Sequence, residues 1–188
     1  MATEIEKKYR LTPQQFAMLR VRLHEVGAKS AGASEFEVNT LYAGNGLHEH
    51  ARVLRLRRVG ATRAWLTYKE RDPTPSAIKR QREEETEIAD PYALAAILEA
   101  LGYAPALVYE KRRATWSVVG AEVVLDELAF GLFAEIEGTI EAINAAESLL
   151  DLADAEAEPL TYPELTARYG TRRGAVCEAR LSEGGRGL

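Results

Sequence analysis

The sequence predicts a β-rich α+β domain, built as a closed eight-stranded antiparallel β-barrel with helices packed outside. Three observations predict it. Eight segments alternate apolar and polar residues with the period of two that a half-buried strand requires. Turn signals such as Val59-Gly60-Ala61 and Val119-Gly120-Ala121 link neighbours closely enough for antiparallel pairing. Stretches with helix-capping signatures separate the strands, and a sheet curled into a barrel beneath such helices leaves no edge unpaired.

In chain order, the first strand spans Thr3 to Tyr9. Thr12-Pro13-Gln14-Gln15 is a capping box with proline at the first helical position, and the helix it opens sets Phe16, Leu19, Leu23 and Val26 on one face before Gly27 stops it. Four strands follow, Glu35 to Tyr42, Arg52 to Arg58, Arg63 to Lys69 and Lys79 to Ile88. Asp90-Pro91 opens a second helix, with Leu94, Ile97, Leu98 and Leu101 expected inward and Gly102 as its stop. Leu107 to Trp116, Ala121 to Glu127 and Leu132 to Thr139 complete the eight strands. A third helix is expected from Glu141 to Leu152, with Ile143, Leu149 and Leu150 on its apolar side, and a short fourth at Thr161-Tyr162-Pro163-Glu164. The chain has 188 residues, enough for one domain with an independent core, here placed at 1–179. Residues 180–188, rich in glycine and without apolar pattern, read as a disordered tail.

Composition excludes several functions. The 24 lysines and arginines against 29 acidic residues give a net charge of −5, which argues against nucleic acid as a partner. No apolar run approaches the roughly 18–20 residues of a membrane span, and the N-terminus carries no apolar export core, so a cytoplasmic protein without a membrane partner is expected. Cys177, the single cysteine, excludes an internal disulfide and a cysteine-based zinc site. His48 and His50 lack a third ligand and read as solvated loop. Trp65 is in phase with Lys69 and suits stacking on a base, Trp116 suits packing on the outside, and Asn39 and Tyr42 read as core or strand-edge packing.

The polar faces of the strands are unusually charged. Glu4, Glu6 and Lys8 share one face, as do Arg55 and Arg57, Glu83, Glu85 and Glu87, Lys111 and Arg113, and Glu135 and Glu137. Lys69 and Asp126 close two further faces. Charges so dense need water or partners, because burying one alone costs several kcal/mol at least. Periodicity permits two arrangements: charges outward over an apolar barrel, or charges inward around a wet channel. In the second, the bases suit a polyanion and the carboxylates a hard divalent cation.

Motif order separates these arrangements. Glu4-x-Glu6-x-Lys8 resembles the ExExK signature of the CYTH superfamily, the triphosphate tunnel metalloenzymes, which include class IV adenylate cyclases, thiamine triphosphatases and inorganic triphosphatases. Leu54-Arg55-Leu56-Arg57, Leu66-Thr67-Tyr68-Lys69, Glu83-x-Glu85-Thr86, Lys111-Arg112-Arg113, Val124-x-Asp126-Glu127 and Gly131-x-Phe133-x-Glu135-Ile136-Glu137-Gly138 resemble the later strands of that superfamily in the same order, from Thr3 to Tyr169. Two departures stand out. Gln81, between Arg80 and Arg82, occupies a position where the family often has arginine, and Glu70-Arg71 replaces a frequent Gly-Pro.

The resemblance implies the inward arrangement, a tunnel. It implies Mg²⁺ or Mn²⁺ held by Glu4, Glu6, Glu135 and Glu137, with Glu83 and Glu85 orienting bases or serving a second metal. It implies a triphosphate gripped by Lys8, Arg55, Arg57, Lys69, Lys111 and Arg113, and catalysis resting on Lys8, Arg57 and Asp126. The expected activity is that of a class IV adenylate cyclase, ATP to cyclic AMP and pyrophosphate, suggested by likeness of the Asp90 to Leu101 helix and of Leu160-Thr161-Tyr162-Pro163-Glu164-Leu165 to that branch. The alternatives are an inorganic or thiamine triphosphatase, and a domain that only binds nucleotide or polyphosphate. A homodimer is a further implication of the likeness.

Overall fold

Alternation and capping place the elements close to their expected positions. The computed structural model describes residues 5–47, 52–71, 81–152 and 155–182. Its strands are β1 (Glu6–Leu11), β2 (Lys29–Ser30), β3 (Glu35–Ala43), β4 (Arg52–Val59), β5 (Arg63–Arg71), β6 (Gln81–Glu87), β7 (Ala104–Val118), β8 (Ala121–Leu128), β9 (Gly131–Glu137), β10 (Glu156–Ala157), β11 (Thr171–Arg173) and β12 (Val176–Ala179). The helices are α1 (Pro13–Glu25), α2 (Pro91–Ala100), α3 (Ile140–Leu149) and α4 (Tyr162–Tyr169). The expected capping box of α1 forms, and α4 opens on a second. Thr12 and Gln15 exchange hydrogen bonds at the start of α1, and Thr161 and Glu164 at the start of α4.

One sheet runs in the order β10-β1-β9-β8-β7-β3-β4-β5-β6, with β2 and β12 also paired to β7 and β11 to β12. All pairs are antiparallel except β12 on β7. The expected closed eight-stranded barrel is therefore corrected to an open twelve-stranded sheet. Among the described residues no ladder joins β6 to β1, because β10 takes the outer edge of β1, setting Tyr9 opposite Ala157 and Arg10 opposite Glu156.

The two faces of the sheet divide the chemistry. On one, α1 and α3 pack against β1, β7, β8 and β9 through Tyr9, Phe16, Leu23, Trp116, Val123, Leu125, Ile136 and Ile143. Full burial of such side chains contributes roughly 1.5–3 kcal/mol each. On the same side, α2 covers Tyr42, Leu54 and Leu56 with Leu98 and Leu94. Ile97 and Leu101, expected inward, are 55% and 61% exposed. The sheet under α2 meets only the stripe through Leu94, Ala95 and Leu98, and residues 97 and 101 turn off it. The opposite face carries the charged rows, and there α4 packs Tyr162 and Leu165 on Tyr109, Leu128 and Phe133. Among the described residues no helix is long and apolar enough to cross a membrane.

A close backbone approach ties the end of β3 to the exit of α2. Gly44 has φ +139°, and a Cβ there would lie 2.3 Å from the Gly102 carbonyl oxygen. Asn45 donates to the Leu101 carbonyl at 3.0 Å beside it. Gly44→Ala is expected to destabilise the fold by more than about 1 kcal/mol, since neither backbone nor strain can be relieved locally. A urea midpoint equal to that of the parent protein would contradict this.

Candidate active site

Because alternate residues of a strand share a face, the ladders fix which charges meet. Lys8 lies opposite Glu135 and Glu6 opposite Glu137 across β1 and β9. Arg113 lies opposite Asp126 across β7 and β8. Arg55 faces Thr67, and Thr67 faces Glu85, across β4, β5 and β6; Lys69 faces Glu83. The expected site residues that are described thus lie on the face opposite α1, α2 and α3. Glu4 lies outside the described residues, as do His48 and His50.

At the centre is a buried ionic cluster. Asp126, fully buried, accepts from Arg113 Nε at 2.8 Å and Nη2 at 2.5 Å, from the Tyr162 hydroxyl at 2.7 Å and from Lys111 Nζ at 3.4 Å. Arg113 Nη2 also donates to Glu135 at 2.6 Å, and Glu135 pairs with Lys8 at 3.2 Å. Lys8 further donates to the Leu160 carbonyl at 3.2 Å, and its ammonium sits 4.2 Å from the centre of the Tyr162 ring. Burial alone would raise the Asp126 carboxyl; Arg113 and Lys111, with the hydrogen bonds from Arg113 and Tyr162, outweigh it and hold the group well below the usual carboxylate range. Burial and the neighbouring Arg113 push the Lys111 ammonium down, against the pull of Asp126, Glu37 and Glu135. The Tyr162 hydroxyl is pushed well up by burial and by the charges of Asp126 and Glu135.

Three members of this cluster are additions to the expected set. Glu37 is buried, 3.5 Å from Lys111, and despite burial its carboxyl is held down by Lys111, Arg113 and Arg57. Asn39, read from sequence as packing, is fully buried on the charged face and donates to Glu37 at 3.4 Å. Tyr162 enters from α4. Glu37 and Asn39 were legible in principle, since they alternate in phase with Glu35 against Phe36 and Val38. Tyr162 was not, because its contacts with the charged groups of the cluster cross 36 residues of sequence or more.

A second, half-buried group occupies β4, β5 and β6. Arg57 donates to Glu85 at 3.0 Å, Arg55 to Thr67 at 3.3 Å, Thr67 to Glu85 at 2.6 Å, and Lys69 pairs with Glu83 at 2.6 Å. The Nε donors of Arg55 and Arg57 are buried without a hydrogen-bond partner among the described residues. Unmet buried donors are costly, and an anion is the ligand that would satisfy them. Trp65 lies under two guanidinium groups, Arg57 at 5.1 Å and Arg63 at 5.7 Å from its ring centres.

The carboxylates at the end of β1 offer hard oxygen donors. Glu137 stands opposite Glu6 on one side and Glu122 on the other. Like charges set directly across a ladder repel, and a divalent cation relieves that repulsion, so the donor chemistry fits such an ion. Among the described residues no three ligand-type side chains converge closely enough to hold a metal. Glu135, expected among the ligands, is engaged by Lys8 and Arg113. Glu6, Lys7 and Lys8 line an open-sided cavity of about 200 Å³ together with Ala157, Glu158, Pro159 and Thr161.

A strand-rich α+β fold whose sheet gathers paired bases and carboxylates on one face defines the class of the protein. Within it, the chain belongs to the CYTH domain family, whose model matches residues 2–169. None of the curated proteins matches the chain. Among solved structures, PH1012 from Pyrococcus horikoshii is similar at 24% identity and a TM-score of 0.72, covering 86% of this chain and 98% of that one. A Vibrio parahaemolyticus protein provisionally named an adenylate cyclase is similar at 24% identity and a TM-score of 0.68, covering 88% and 98%. HpAC1 from Hippeastrum, provisionally named an adenylyl cyclase and described as having a dominant triphosphatase activity, is similar at 18% identity and a TM-score of 0.66, covering 88% and 94%. At these identities the likeness establishes the fold.

Proposed function

We propose that this chain is a divalent-cation-dependent enzyme acting on triphosphates, and that its reaction is the cyclisation of ATP. The observation that carries the reading is the convergence of Lys8, Arg55, Arg57, Lys69, Lys111 and Arg113 on one face of the sheet, each held by a carboxylate or hydroxyl beside it. Phosphoryl transfer is mainly positioning and charge neutralisation, and such bases supply both. Arginine forks match phosphate oxygens, while the lysines act as point charges. Asp126, Glu135 and Glu85 keep the bases oriented before substrate arrives, so little reorganisation remains. Glu4, Glu6 and Glu137 would hold a Mg²⁺ or Mn²⁺ ion, and Glu135 or Glu83 would join them only by giving up a base. Such an ion neutralises phosphate charge and polarises a nucleophile when bound. In the cyclase the ribose 3′-hydroxyl gives its proton to water, its oxygen bonds to the α-phosphorus, the bond from that phosphorus to the oxygen bridging to the β-phosphate breaks, and pyrophosphate leaves.

A second reading, hydrolysis of an inorganic or organic triphosphate, is favoured by one feature. Trp65, the aromatic suited to stacking on a base, already has Arg57 and Arg63 against its ring. Incubation with ATP, thiamine triphosphate and tripolyphosphate, each with Mg²⁺ and Mn²⁺, separates the readings. Cyclic AMP with equimolar pyrophosphate is expected. Phosphate release from tripolyphosphate without cyclic AMP refutes the cyclase, and binding without turnover of any of the three refutes an enzyme. Glu137→Ala is expected to raise the metal concentration needed for half-maximal activity by about tenfold, from the loss of one charged ligand; an unchanged Mg²⁺ titration removes Glu137 from the metal site.

A further inference from the structure

We propose that Tyr162 is a positioning residue for Lys8 and Asp126, acting from α4 on the side of the cluster that the sheet cannot reach. The inference rests on the functional reading above. Two contacts carry it. The Tyr162 hydroxyl donates to Asp126 Oδ2 at 2.7 Å, sharing that oxygen with Arg113 and Lys111. Its ring lies 4.2 Å from the Lys8 ammonium and 5.4 Å from that of Lys111. Lys8 thus has three restraints: Glu135 from β9, the Leu160 carbonyl, and the Tyr162 ring. A lysine stem has many rotamers, so an ammonium is aimed only where several groups hold it at once.

Tyr162 is itself rigidly placed. It follows the Thr161–Glu164 capping box, and its ring meets Phe133 edge-on at 5.4 Å and Tyr109 at 6.1 Å. Thr166 donates to its carbonyl at 2.7 Å. The hydroxyl fixes where Asp126 stands, and Asp126 in turn fixes the plane of Arg113 through Nε and Nη2. One side chain outside the sheet therefore sets both an ammonium and a guanidinium.

Tyr162→Phe keeps the ring and its packing but removes the hydroxyl, while Tyr162→Leu removes both. With the substrate that the wild type turns over best, the Phe variant is expected to lose about tenfold and the Leu variant about 100-fold in kcat, with KM within twofold, as misplaced groups do. The Lys8 Cε proton signals, displaced by the ring current in the wild type, are expected to stay displaced in the Phe variant and to lose the displacement in the Leu variant. Wild-type kcat in the Phe variant, or Lys8 signals identical in all three proteins, overturns the inference. The Phe variant decides it should the Leu variant not fold. A wild type inactive on every triphosphate, yet with Lys8 signals that respond to Tyr162→Leu as expected, refutes the proposed function and supports the seating of Lys8.

Discussion

Asp126→Asn is expected to lower the unfolding free energy by about 3–5 kcal/mol, the usual range for breaking a buried ion pair from one side. Asp126 is fully buried and meets two cations, Arg113 and Lys111. The amide keeps the shape and one acceptor but no charge, and its NH₂ faces donors where Oδ2 or Oδ1 stood. Glu135 and Glu37 stay near Arg113 and Lys111, which places the loss toward the lower end of the range. The sign of the pH dependence follows from the same contacts. The folded Asp126 carboxyl lies below its ordinary value of 3.8, so its stabilisation is complete above that value and is lost as pH falls through the lower, folded value. Glu37 acts in the same direction. Urea unfolding from pH 7 down to about pH 2 is expected to give the wild type a steep acid limb below about pH 4 and the Asn variant a shallower one from a lower plateau. Equal midpoints at neutral pH would mean that this buried pairing adds nothing to stability. Turnover is expected to vanish, because Arg113 loses the fork that aims it.

The site was legible to the extent that it obeys a local rule. Lys8, Arg55, Arg57, Lys69, Lys111, Arg113 and Asp126 stand out because a period of two makes their spacing visible, and motif order then favoured the inward arrangement over the outward one. Asn39 obeys the same period, yet an isolated amide among apolar and acidic neighbours carries no excess of charge to mark it. The strands β2, β10, β11 and β12 run two to four residues, too short to display any period. They decide the topology nonetheless: β10 occupies the edge of β1 that a closed barrel would give to β6. Barrel closure and the reach of Tyr162 are both long-range outcomes, settled by which distant segment arrives at an edge or a face. Ile97 and Leu101 illustrate the remaining limit. A helix can carry more apolar residues than its support can cover, and the pattern alone does not say which stripe meets the sheet.

Lys8→Met is expected to lower kcat by about 10²–10³-fold, the loss typical of removing one preorganised electrostatic stabiliser, with little change in stability. The two halves of that expectation have separate causes. Methionine preserves most of the stem against the Tyr162 ring, and Glu135, deprived of Lys8, still receives Arg113 at 2.6 Å, so no buried carboxylate is left alone. What disappears is a nearly buried ammonium beside the cavity that Glu6 shares. Arg57 offers the contrast. It is half-buried on β4, and Arg55 and Lys69 share its row of bases, so on the proposed function Arg57→Ala is expected to act more on KM than on kcat. Steady-state kinetics of both variants, with thermal melts to confirm folding, test the division of labour. Should Lys8→Met turn over like the wild type while remaining folded, the ammonium on β1 would be a structural counterion to Glu135, and the chemistry would have to rest on Lys111 and Arg113 alone.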